Sequence, residues 1–119
     1  MKMKIYASEK DIQDTILEWL AIVKIFHYRQ NTGAFSKEYI RKRDGVKKRS
    51  FIRFGHPGAS DIVCVVKGLY IAIEVKDHKG KQSEDQIAFQ RSVEAAGGHY
   101  LLVRSLDEVK MFFKVLYSK

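Results

Sequence analysis

Asp61-Ile62-Val63-Cys64-Val65-Val66-Lys67-Gly68-Leu69-Tyr70-Ile71-Ala72-Ile73-Glu74-Val75-Lys76 is the stretch that decides the fold. Ile62 to Val66 is an unbroken apolar run, Lys67-Gly68 has turn chemistry, and Leu69 to Lys76 alternates. Side chains in a strand switch face at each residue. Leu69, Ile71, Ile73 and Val75 therefore share one face, and Tyr70, Ala72, Glu74 and Lys76 the other. A two-residue connection makes the strands antiparallel, so Asp61 at the start of one lies beside Glu74 at the end of the next. Two acids and a lysine converge at one end of a buried hairpin. Charged groups are rarely placed there unless they are paired or hold a metal. Asp61 alone could cap a strand, and Glu74 with Lys76 could pair across an exposed sheet. The three together point to a metal site with a lysine beside it.

Two carboxylates about 4 Å apart repel by roughly 4 kcal/mol at an effective dielectric near 20. A divalent cation removes that cost. Oxygen donors without a cysteine or histidine cluster favour hard ions, Mg²⁺ or Mn²⁺. Such an ion acidifies its water and screens charge developing on a phosphate. Lys76 beside it could orient or help deprotonate the attacking water, or stabilise the phosphoryl oxygens.

Around this centre the chain reads as one domain, residues 1–119. The single cysteine, Cys64, excludes an intramolecular disulfide and a cysteine metal cluster. It reads as an inert buried thiol of a reducing compartment. No apolar region follows the basic Met1-Lys2-Met3-Lys4, and no run approaches the length of a membrane span. The expected location is intracellular, the cytoplasm of a bacterial or virus-infected cell, with no membrane partner. Ser83, Ser105 and Cys64 have no histidine–acid arrangement nearby, and no Walker-type glycine loop exists. Serine or cysteine hydrolysis and ATP hydrolysis are therefore not supported.

The formal net charge is +8, and most of it is local. Lys37, Arg41, Lys42, Arg43, Lys47, Lys48, Arg49 and Arg53 are opposed only by Glu38 and Asp44, which leaves +6 between positions 37 and 53. Interleaved tyrosine, phenylalanine and isoleucine favour nucleic-acid contact by these eight cations over a merely solvated loop. Asp44-Gly45 signals a two-residue hairpin turn, with arms of roughly Phe35–Arg43 and Val46–Phe54.

The remaining elements follow from caps and periodicity. Ser8-Glu9-Lys10-Asp11 opens a helix with an apolar stripe of Ile12, Ile16, Trp19, Leu20 and Val23. Glu9 extends that stripe, where the simplest role is a favourable charge at the helix's positive end. Ile25 to Gln30 reads as a strand, ending in the turn residues Asn31-Thr32-Gly33. Gly55-His56-Pro57-Gly58 is a loop whose glycines permit a tight approach of backbone to ligand. Ser83-Glu84-Asp85-Gln86 is a capping box for a helix to about Ala96, closed by Gly97-Gly98. His99 to Val103 is a strand. Ser105-Leu106-Asp107-Glu108 is another capping box, for a helix presenting Leu106, Val109, Phe112, Phe113 and Leu116. The order predicts an α/β domain with a mixed sheet flanked by helices. His56 and His78 could touch phosphate or simply fill their loops. Asn31 and Gly33 could position DNA or only make a turn.

The ordered set is more specific than its parts. Asp61 followed by Glu74-Val75-Lys76 resembles the PD-(D/E)XK nuclease signature. With Glu9 in a first helix, Asn31-Thr32-Gly33, Gly55 through Asp61, Gly80-x-x-Ser83-x-x-Gln86 and Tyr100 to Ser105, the chain resembles the virus-type replication-repair nuclease (VRR-NUC) domain. The resemblance covers about Glu9 to Val109. It implies a restriction-endonuclease-like core and metal-dependent hydrolysis of DNA phosphodiester bonds. It further implies Asp61 and Glu74 as metal ligands, with the Val75 carbonyl as a third and Glu9 completing the cluster. Lys76 becomes the catalytic lysine, and Gln86 lies near the metal or the water. Stand-alone members are similar to Holliday-junction resolvases, which act as homodimers on branched DNA. Ser60 departs from the pattern, where proline often precedes the first acid. The basic arm matches no family pattern, and the competing reading is a non-catalytic nucleic-acid-binding module that uses it.

Overall fold

A computed structural model of the protein describes residues 5–30 and 33–119. Its elements run α1 (Glu9–Ile22), β1 (His27–Arg29), β2 (Gly33–Ile40), β3 (Lys47–Phe54), β4 (Ile62–Val66), β5 (Leu69–Val75), α2 (Glu84–Ala95), β6 (His99–Val103) and α3 (Leu106–Tyr117). Four strands form one sheet in the order β1-β4-β5-β6, and β2 with β3 forms a separate two-stranded ribbon. The β1–β4 and β4–β5 pairs are antiparallel, whereas β5 and β6 are parallel. The α/β class and the mixed sheet are as the sequence predicts.

Lys67 and Gly68 both take positive φ, 50° and 81°. That is the pattern of the two-residue turn whose twist suits a hairpin. Register follows from it: Val66 pairs with Leu69 and Ile62 with Ile73. The next step outward sets Asp61 against Glu74.

Both faces of the sheet are covered, so β5 is buried almost throughout. On one face, Ile12, Ile16 and Leu20 of α1 and Val109 and Phe113 of α3 pack on Ile62, Cys64, Ile71, Ile73 and Val75. On the other, Phe89 and Val93 of α2 pack on Ala72 and Tyr100. Parallel pairing of β5 and β6 needs a long crossover, and α2 supplies it. Buried Cys64 has its thiol pushed up to about 12 by burial alone, which fits an inert role.

Several boundaries differ from the sequence reading. β1 keeps only His27–Arg29 of the expected strand from Ile25 to Gln30. Its first residues are spent closing α1: Ile25 N–H donates to the Leu20 carbonyl, and Lys24 takes φ 60°. Gln30 still donates to the Asp61 carbonyl at 2.8 Å, although outside the strand proper. Val23 lies past the helix and is exposed, while Trp19 packs only partly on the core. At α3 the serine half of the expected box forms, Ser105 Oγ accepting from Glu108 N–H. The Asn31-Thr32 part of the turn lies outside the described residues.

The ribbon turn is also longer than expected. Ile40 pairs with Lys47, so positions 41–46 connect the strands. A two-residue turn of the favoured type needs positive φ at both central positions. Gly45 has it at 70°, but Asp44 does not. Its carboxylate instead accepts from Val46 N–H and the Arg41 guanidinium, which stabilises a wider loop. The ribbon pairs only with itself. The radius of gyration, 18.5 Å, exceeds the roughly 13–14 Å of a compact domain this long.

Candidate metal centre

The centre sits where β4 begins and β5 ends. Asp61 is anchored twice, its Oδ2 accepting from Val75 N–H at 2.7 Å and its carbonyl from Gln30 N–H. Ser60, in the position where proline was expected, is buried and donates its hydroxyl to the Ile62 carbonyl at 3.1 Å. Glu74 is the most constrained acid, with 2 % of its side chain exposed. Its Oε1 accepts from Gln86 Nε2 at 3.0 Å and lies 3.7 Å from Lys76 Nζ. Its Oε2 is buried without a hydrogen-bond partner. Glu9, the first residue of α1, reaches the same point from the opposite layer. One carboxylate oxygen from each of Glu9, Asp61 and Glu74 lies within 4.8 Å of the others.

The electrostatics match this crowding. Burial first, then the neighbouring Asp61 carboxylate, push the Glu74 carboxyl up to about 8, against the pull of Lys76. Glu9 is raised too, first by partial burial and then by Asp61, with Lys76 again opposing. Buried polar atoms are nearly always satisfied, and here an ionisable oxygen is left over among three acids. A donor set made only of oxygens, with one buried oxygen unsatisfied, fits a hard divalent cation.

Lys76 is 12 % exposed and firmly held. Its N–H donates to the Val103 carbonyl, and a Cβ placed on Gly80 would stand 3.1 Å from its Cδ. The following loop folds back on itself. Asp77 accepts from Lys79 and Gly80 N–H, and its carbonyl accepts from Arg104. Val75, whose carbonyl the family resemblance implies as a ligand, gives its N–H to Asp61.

Gln86 makes two contacts. Its Oε1 accepts from Ser83 N–H at 2.9 Å, completing the capping box, while its Nε2 holds Glu74. Gln86→Glu separates the two. Glutamate keeps the cap but replaces the amide that donates to Glu74 with a further acid. The expected result is a thermal midpoint within a few degrees of wild type, with metal-induced stabilisation reduced at least tenfold in apparent affinity. Titrating Mn²⁺ against the unfolding temperature checks this, and unchanged affinity would refute the contact.

Gly58 makes the tight approach that its loop suggested, but to protein rather than ligand. A Cβ there would lie 2.1 Å from the Asp85 carbonyl oxygen, in the first turn of α2. His56 packs edge-on to Phe89 at 5.4 Å, and His78 stacks on Tyr6 at 3.7 Å. Tyr100 stands beside the centre as well. Its hydroxyl accepts from Gln82 Nε2, and its phenol is pushed up to about 12, chiefly by burial and also by the nearby Glu74 and Asp61 charges. Its place on the Glu74 face depends on the Ala72–Tyr100 register of the parallel pair, which no local pattern announces.

The eight arm cations are not equivalent. Arg41 is held by Asp44, Arg49 lies 2.9 Å and Lys47 3.9 Å from Glu38, and Arg53 lies 5.6 Å over the Phe51 ring. Lys37, Lys42, Arg43 and Lys48 have no acidic partner among the described residues.

A mixed sheet between helices thus carries an acidic cluster and a lysine at one strand end. The fold is similar to that of a solved structure described as a VRR_NUC domain, with a TM-score of 0.55. The two share 15% sequence identity over 91% of this chain and 97% of that one. The chain thus has a VRR_NUC-like fold. No family model and no curated protein matches the sequence. No helix among the described residues is long and apolar enough to cross a membrane.

Proposed function

We propose that this protein is a metal-dependent DNA endonuclease that hydrolyses phosphodiester bonds in branched DNA such as Holliday junctions, and that it works as a homodimer. The observation that carries the reading is Glu74, buried with one oxygen unsatisfied beside Asp61, Glu9 and Lys76. A non-catalytic binding module has no use for a buried acid held near 8. The VRR_NUC-like fold supports the same reaction class.

Asp61, Glu74 and Glu9 would hold Mg²⁺ or Mn²⁺, with the Val75 carbonyl as the further ligand that the resemblance implies. The ion, when bound, supplies a more acidic water and screening of phosphate charge. Val75 N–H and Gln86 fix the two strand-borne acids, so the donor set is preorganised. The Lys76 ammonium, held on the strand end, orients the water or stabilises the phosphoryl oxygens. The arm takes the DNA backbone. Symmetric resolution of a junction cuts two strands, which two copies of one site would supply.

Labelled four-way junction, flap and duplex DNA, each incubated with Mg²⁺ or Mn²⁺ and with chelator, test the reading. Cleavage of the junction with metal and none with chelator is expected. Inert substrates under metal would remove the enzyme reading, and equal cleavage with chelator would remove the metal.

A further inference from the structure

The arm carries eight cations; five of them lie on its strands, which divide them between two faces. Residues directly opposite across an antiparallel pair share a face, and the face alternates along each strand. Tyr39 pairs with Lys48 and Lys37 with Ser50, so Lys37, Tyr39, Lys48, Ser50 and Ile52 lie on one side. Glu38 pairs with Arg49 and Ile40 with Lys47, so Glu38, Arg49, Lys47, Phe51 and Arg53 lie on the other. The contacts obey this division. Glu38 reaches both Arg49 and Lys47, and Arg53 covers Phe51, all within the second face.

We infer that the arm meets DNA through the Lys37–Tyr39–Lys48 face and not through the face that carries Glu38. The inference rests on the DNA reading given above and narrows it. Each face has cations, so charge total does not decide between them. Placement does. Glu38 stands between Lys47 and Arg49, and any strand laid on that side brings phosphate against a carboxylate. The first face holds no acid. Its two lysines flank an exposed tyrosine, 46 % accessible, whose ring can pack on a sugar or a base. A two-stranded ribbon also has the width that a DNA major groove admits. Lys42 and Arg43, in the connecting loop, add two cations without an acidic partner among the described residues.

Two double variants remove the same charge from different faces. Lys37→Ala/Lys48→Ala and Lys47→Ala/Arg49→Ala each lower the net charge by the same amount, so a general loss of attraction affects them alike. Binding of a labelled junction, measured by fluorescence anisotropy in chelator between about 50 and 200 mM salt, reads phosphate contacts through the slope of log affinity against log salt. Each contact contributes about 0.9 to that slope. The first pair is expected to flatten it by about 1.8, and the second by less than half of that. Glu38→Gln should leave the slope unchanged. Equal flattening by both pairs, or a steeper slope in Glu38→Gln, would overturn the assignment of faces. All substituted side chains are exposed, and a thermal melt of each variant confirms that the fold persists. Wild-type protein that binds no DNA would remove the DNA reading itself, a result distinct from binding with the wrong face.

Discussion

Glu74→Gln is expected to stabilise the metal-free protein while abolishing cleavage. The Glu74 carboxyl is held near 8 in the fold, against an ordinary 4.5. A carboxyl raised by folding favours the folded state only while protonated. Its contribution is whole below about 4.5 and is lost as pH rises towards 8, because the unfolded chain ionises first. Glutamine removes the ionisation, keeps an oxygen for Gln86, and offers Asp61 a hydrogen. At pH 8.5 in chelator the loss avoided is on the order of a few kcal/mol, or a rise of roughly 5–15 °C in unfolding temperature. At pH 4 the two proteins should melt together. Mn²⁺ reverses the ranking. Saturating ion at about 100 times Kd stabilises wild type by about 2.7 kcal/mol, and the variant should gain almost nothing. A variant less stable at every pH, or one that still responds to metal, would show that Glu74 is a structural acid.

Gly58→Ala is the second large effect. Gly58 takes φ 73°, which costs a side chain about 1–3 kcal/mol. The new Cβ would also meet the Asp85 carbonyl carbon at 2.3 Å and the Gln86 nitrogen at 2.7 Å, all backbone. Either the loop ahead of Asp61 or the first turn of α2 must move, and each positions an acid of the centre. Gly68→Ala is the control. It has the same kind of strain, φ 81°, but open space around it. The expected result is a Gly58→Ala protein destabilised by at least about 1 kcal/mol more than Gly68→Ala, with metal affinity and cleavage lost in Gly58→Ala alone. Equal melting losses and equal activity would mean that the close approach does not set the site.

The heart of the fold was legible because one turn controls it. Lys67-Gly68 fixes the β4–β5 register, and register alone makes Asp61 and Glu74 neighbours. Glu9 was different. Its helix pattern showed an acid on the core side, but only the packing of α1 against the far face of the sheet brings its carboxylate to the others. Gln86 was visible as a capping partner, and its second contact needs α2 to lie over the end of β5. The arm was misread at its tip since Asp44-Gly45 matches a two-residue turn by type. The choice is made by side-chain bonds to Arg41 and Val46. Its two faces survive that difference, because a register moved by two residues keeps every side chain on its own face and changes only which residues stand opposite each other.

The first turn of α2 has one more consequence. Helix ends ordinarily fray at little cost, ahead of any wider opening. Here Ser83 caps the end, Asp85 is covered by Gly58, and Gln86 is tied to Glu74. To unwind that turn is to release Glu74 and loosen the loop leading to Asp61. Helix fraying and dismantling of the candidate centre are therefore a single event. The amide exchange rate of Gln86 becomes a clock for how often the site ceases to exist.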